Sequence, residues 1–394
     1  MSLFASSLFD GISIGAVLLM SALGLSIVFG LMGVINLAHG EMMMLGAYTT
    51  YVVQNGAKAL GGGLWLNLYI FPALVLAFVV AALVGLFLER NIIRLLYGRP
   101  LETLLATWGV SLILRQFVRS VSWGFVAGLV IFAVLFWGGR WVLQRFRPGG
   151  LGRMHQGAIA LITLLSIGIS VTAGYGLTGL GETSFWGKLW FSARNVDVTP
   201  PGWLQGGLSL GTVTLPYARL FIISLMVVCL VGIYWFLQRS PWGLRIRAVT
   251  QNRQMSACLG IPTDRVDALA FALGSGLAGV AGCAVTLLGS VGPNLGSNYI
   301  VDAFMVVVVG GVGQLLGSIV AAMGIGITSY LIGSGTLGFV LSNMGASFLQ
   351  PVIDILDFFA TSSMAKVMIF ALIIGFLQIR PAGLFPQQGR SVDV

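Results

Sequence analysis

The chain has 394 residues, 57% of them hydrophobic and 8% charged, with a mean hydropathy of +0.97 and a formal net charge of +9. Soluble domains carry roughly 25% charged residues, so this composition excludes a soluble enzyme and places the chain in a membrane. The positive charge does not form a nucleic-acid-binding face, because the arginines fall in short loops between apolar runs.

Runs approaching the roughly 20 residues that cross a bilayer recur along the whole length. In chain order the predicted spans are 10–31, 41–54, 67–88, 101–119, 123–139, 156–178, 216–238, 266–288, 300–316, 317–335 and 364–379. The opening stretch "MSLFASSLFDGISIGAVLLM" lacks a basic leader region and a cleavage site, and is read as a retained first helix. Basic loops at 89–99, 140–153 and 239–265 belong in the cytoplasm by the positive-inside rule. That leaves the N-terminus outside and makes "TSFWGKLWFSARNVDVTPPGWLQGG" the longest external loop.

Two polar stretches interrupt these runs. The first, "VINLAHGE", holds Asn36, His39 and Glu41; the second, "GPNLGSNYIVD", holds Asn294 and Asp302. Each follows a long glycine-rich segment and precedes a short apolar one, and the span count makes the two halves enter in opposite senses. That pattern predicts an inverted repeat with its site at the interface. Irregular backbone at membrane depth is tolerated where protein or water satisfies it. Asn36, His39, Glu41, Asn294 and Asp302 are therefore expected to border a translocation path, the bland alternative being a structural polar lock. Asp267 reads instead as a favourable charge at a helix N-terminus.

Reactive chemistry is sparse. Two histidines, His39 and His155, make no metal site, the three cysteines show no ligand spacing, and there is no phosphate-binding P-loop. No catalytic residue, metal or cofactor is expected. "GYGLTG" at 174–179 ends an apolar run and is a chance match to a dinucleotide motif. In "FALGSGLAGVAGCAV", Gly274, Ala278 and Gly282, with Gly279 beside them, recur at helical spacing and predict a close-packed helix face, within the chain or between subunits. In the basic loop 239–265, Met255, Cys258 and Leu259 form a small apolar patch that ends at Gly260, suited to lipid headgroups or to a groove on a soluble partner.

The stretches "GLMGVINLAHGEMMMLGAY", "RAVTQNRQMSACLGI", "VDALAFALGSGLAGVAG", "GPNLGSNYIVDAFMVVVVGGVG" and "RPAGLFPQQGR" resemble the branched-chain amino acid and urea permeases of ABC importers. Together with "ARNVDVTPPGW" they look closest to the urea-type permease, its B subunit. The resemblance implies an all-α, multi-pass permease of the bacterial inner membrane, with short discontinuous helices. It implies a second permease subunit, two ATPase subunits and an external substrate-binding protein as partners, membrane lipid around it, and no nucleic acid. The loop 239–265 would be the ATPase-coupling element, with Arg247, Gln251, Asn252, Ala257 and Gly260 at the matching positions. Urea or a short amide is the expected substrate, a branched-chain amino acid the alternative, and a channel or ion-coupled carrier the competing class. The resemblance lapses between Arg119 and Arg194. The expected organisation is a first core half at 1–122, an inserted hairpin at 123–190 and a second core half at 191–394.

Overall fold

A computed structural model describes residues 2–146, 153–178, 195–210, 213–343 and 350–385. The first part of the expected external loop, up to Arg194, lies outside the described residues, as do Arg147 and Arg390. The elements are α1 (Ser2–Met32), α2 (His39–Ala59), α3 (Leu64–Leu68), α4 (Ile70–Asn91), α5 (Pro100–Ser120), α6 (Trp123–Phe146) and α7 (Arg153–Thr178). A two-stranded antiparallel ribbon follows, β1 (Gly207–Leu210) with β2 (Val213–Pro216), Gly207 opposite Pro216. The rest is helical: α8 (Tyr217–Arg239), α9 (Pro241–Gln251), α10 (Arg253–Cys258), α11 (Thr263–Val285), α12 (Leu295–Gly310), α13 (Leu315–Gly333), α14 (Thr336–Asn343), α15 (Gln350–Phe358) and α16 (Ser362–Ile379).

The molecule is a helical, polytopic membrane protein. Segments in α1, α4, α8, α11 and α13 are long and apolar enough to cross a bilayer, and α12 and α16 carry shorter apolar helices. Two departures from expectation stand out. The ribbon interrupts the all-α pattern where alternating "GLSL" and "VTLP" suit a pleat better than a helix. The expected boundary between spans 300–316 and 317–335 is misplaced: α12 stops at Gly310 because Gly311 (φ 100°) and Gly313 (φ 75°) adopt conformations that L side chains rarely enter.

The chain forms two compact units, Ile113–Val196 and the remainder. In the smaller one α6 and α7 pack antiparallel, Gly128 approaching Gly174 while Gly139 approaches Ile162.

In the larger unit α1, α2 and α4 recur as α11, α12 and α13. The packing of α1 on α13 has its counterpart in α11 on α4; α2 on α4 is matched by α12 on α13, and α1 on α12 by α11 on α2. Related helices also touch, α1 with α11 and α2 with α12. Their senses are opposed: Gly24 meets Gly274, while Leu31, a turn or two further on, packs with Val266 and Ala270. This is an inverted repeat, and α1 and α11 are its centre. Their most apolar windows are 78% and 83% buried, against 11% for the lateral α8.

Small residues permit the crossings. A Cβ built on Gly274 would lie 2.6 Å from the Gly24 carbonyl oxygen, and one on Gly296 2.6 Å from that of Gly40. Dispersion contacts between backbones replace the hydrophobic drive that lipid does not supply.

Candidate functional site

The first break is built by its own polar residues. Gly33 (φ 65°) ends α1, and the chain doubles back so that α2 starts beside the middle of α1. The amides exposed by the break are taken up locally: Ala38 N donates to Asn36 Oδ1 (3.0 Å) and Leu37 N to Thr107 Oγ1 (3.2 Å). His39 Nε2 lies 3.1 Å from the Ser21 carbonyl oxygen, so the proton sits on Nε2. Ser111 Oγ donates to Glu41 Oε1 at 2.8 Å. Asn36, His39 and Glu41 are 0–1% exposed. In this conformation the three form a polar knot inside the packing core, not an open lining.

The second break places its residues differently. The start of α12 abuts the knot, since a Cβ on Gly296 would lie 2.8 Å from Glu41 Oε2. Asn294 itself is exposed, and so is Asn298 one turn along. Asp302 is a further turn away and binds Lys366 of α16, Oδ2 to Nζ 3.0 Å. Asn36, His39 and Glu41 are thus brought together, while Asn294 and Asp302 share the outer face of α12.

The expected packing residues meet helices of the same chain. Gly274 faces Gly24 of α1, Gly279 faces Ala77 and Ala81 of α4, and Gly282 faces Met43 of α2; Ala278 is fully buried between them.

The basic loop folds as two short helices. Ser240 caps α9 by accepting from Gly243 N (2.9 Å), with Pro241 in the first turn, and Asn252 caps α10 by accepting from Met255 N (2.9 Å). Gly260 (φ 79°) closes α10: its N–H reaches the Ala257 carbonyl, and the N–H of Ile261 reaches that of Ser256. Arg247 donates to Gln238 (2.9 Å), and Gln251, Asn252 and Ala257 are exposed. Ile246 and Val249 of α9 pack on Leu31, Val266 and Ala270 at the ends of α1 and α11. Met255 and Leu259 remain 59% and 75% exposed. One face of this element therefore grips the central helices, and the other presents apolar side chains outward.

A cluster that the sequence did not disclose fixes α10 in place. Arg253 pairs with Asp267 (2.5 Å) and lies 5.1 Å over the Tyr97 ring; Tyr97 in turn donates to Glu89 Oε1 (3.0 Å). Burial, with the neighbouring carboxylates of Asp267 and Glu89, pushes the Tyr97 phenol up, so it stays a donor. Asp264, bound to Arg94, is the acid in the first turn of α11. Asp267 lies deeper, is fully buried and is held by an arginine, not by the helix end alone. Lys366 also went unread, although one of three lysines standing in an apolar run is a signal in itself.

Comparison with known proteins was decisive for the family. The family model described as "Branched-chain amino acid transport system / permease component" matches residues 7–377, through both breaks and the basic loop 239–265. The chain belongs to this permease family. This permease is 25% identical over 338 residues to the high-affinity branched-chain amino acid transport system permease protein LivH of Escherichia coli, covering 83% of this chain and 85% of that one. It is 23% identical over 326 residues to BraD of Pseudomonas aeruginosa, a permease of the same description (82% and 84%). A shorter match, 31% over 108 residues, is to the ribose import permease RbsC of Bacillus subtilis, covering 26% and 34%. No solved structure gives a significant match. The permease is a multi-pass protein of the bacterial inner membrane.

Proposed function

We propose that this permease forms half of the translocation path of an ABC importer for branched-chain amino acids. The observation that carries this reading is a family match extending through both broken helices and the coupling segment, with relatives named for branched-chain amino acids over more than four-fifths of the chain. Those relatives support the amino acid over urea, which the motif resemblance alone favoured. In this reading a second permease completes the path, two ATPase subunits dock on the outward side chains of α10, and an external binding protein delivers substrate. Asn294 and Asp302 border the path on α12. Asn36, His39 and Glu41 form the pivot about which α2 and α12 shift when the path opens, so they meet substrate in the open state. The two helices α6 and α7 form an inserted hairpin that has no counterpart in the repeat.

Reconstitution of the chain with its partner subunits tests the proposal. Leucine uptake that requires ATP and the binding protein is the expected result. Uptake of urea without leucine would overturn the substrate, and leucine uptake without the ATPases would favour a channel or ion-coupled carrier.

A further inference from the structure

Helix α12 begins where its first turn meets the buried knot, and its outer side carries polar residues beside the exposed Val301. Asn294, Asn298 and Asp302 recur every four residues, which puts them on one side of a helix, and both asparagines are exposed. Lipid does not tolerate such a stripe. At its end stands an ion pair between α12 and α16. Lys366 Nζ lies 3.0 Å from Asp302 Oδ2 and 3.4 Å from the Asn298 carbonyl oxygen, and its side chain is 44% exposed against 15% for Asp302. An ammonium has three donors, of which these contacts use two.

We propose that Asp302 and Lys366 form a transient subsite for an amino-acid zwitterion, with the substrate carboxylate at Lys366 and its ammonium at Asp302. The inference rests on the amino-acid reading above and narrows it to one pair of side chains. In an α-amino acid the ammonium nitrogen and the carboxylate carbon are joined through a single carbon, about 2.5 Å apart. That separation matches an Nζ–Oδ2 pair at 3.0 Å. A zwitterion laid antiparallel against the pair gives each of the four charges an opposite neighbour, so no isolated charge is created at membrane depth. In the absence of substrate the side chains neutralise one another, which keeps the empty path free of a fixed net charge. The site is also weak by construction, because each side chain already has its partner before substrate arrives, and passage requires a site that releases as readily as it binds. Urea carries no separated charges and cannot complete this alternation with the pair.

The test uses the complete transporter in proteoliposomes, with binding-protein-stimulated ATP hydrolysis and leucine uptake measured together. The variant D302N/K366Q removes both charges at once and strands neither. The expected result is leucine transported per ATP hydrolysed reduced about tenfold, the factor of one charge-assisted contact. An unchanged leucine-to-ATP ratio would make the pair a structural lock and overturn the proposal. Should D302N/K366Q fail to assemble, an Asn298→Cys chain with its native cysteines replaced gives the second measurement. Saturating leucine should slow thiol labelling at position 298 and equal urea should not; equal rates with and without leucine overturn the site. Failure of the wild-type complex to import leucine at all would instead count against the function proposed above.

Discussion

Gly282→Ala adds a single methyl group, and the structure assigns it a cost. A Cβ at this position would strike the Met43 carbonyl of α2, 2.8 Å from its carbon and 3.0 Å from Ala47 N. Favourable contact between such atoms begins near 3.5 Å, and both neighbours are backbone with the Met43 carbonyl oxygen nearest, so α2 must move off α11 by more than about 1 Å. Overpacking on this scale costs about 1–3 kcal/mol. Gly324→Ala on α13 is the matched control: no atom lies within 4 Å of its Cβ, and only helix propensity changes, by up to about 1 kcal/mol in favour of alanine. Thermal unfolding in detergent, followed by tryptophan fluorescence, should show Gly282→Ala melting about 2–6 °C below wild type and Gly324→Ala at or above it. If both alanine variants melt with the wild type, close backbone approach is not what holds α2 against α11.

The native cysteines offer a second check, since Cys258 is exposed on α10 while Cys283 is buried: maleimide should modify Cys258 first, and bound ATPase should slow that reaction. Ala257→Glu should leave membrane insertion intact and abolish co-purification with the ATPase, because only the outward face of α10 changes. Arg253→Met strands the fully buried Asp267 and should cost about 1–3 kcal/mol, the arginine's partial exposure keeping the loss below that of a wholly buried pair. The double variant R253M/D267N should recover most of that stability in a double-mutant cycle. Glu41→Ala should destabilise the chain more than Glu41→Gln, whose side-chain oxygen still accepts from Ser111, measured by the same melts.

The spans were legible because hydropathy reports directly on what must leave water, and the two breaks because polar residues in such runs need a reason. Where two apolar spans abut, hydropathy is silent: only Gly311 and Gly313 marked the end of α12, and glycine is too common here, at 55 residues, to read as a stop. Asn36, His39 and Glu41 were legible as a group from their proximity in the chain. Whether they face a path or the core depends on α5, whose Thr107 and Ser111 stand about 70 residues away. The cluster of Glu89, Tyr97, Arg253 and Asp267 had no local signature at all. Each member looks like an ordinary loop or helix-end residue until the fold of α4, α10 and α11 brings them together. Gly260 was readable as a stop because its αL conformation is a local requirement of the backbone.

The placement of α1 has a consequence for how the protein is made. This helix leaves the ribosome well before its partners, and its surface is completed by α11 and α13: Gly11 seats against Ile327 and Gly15 against Met323. Roughly 300 residues separate those partners, which at about 5–20 residues per second is a wait of about 15–60 s. Throughout that interval the first break is inserted without the second half that packs on it, held by Ser21 and, once α5 has followed, by Thr107 and Ser111. The C-terminus repeats the delay on a smaller scale, because Val309 at the end of α12 receives the N–H of Leu384 only after α16 has been synthesised. The packing that completes the surface of α1 therefore becomes available only late in synthesis. The permease's dependence on insertase and quality-control factors should follow the time to complete α13 more closely than the hydrophobicity of any single span.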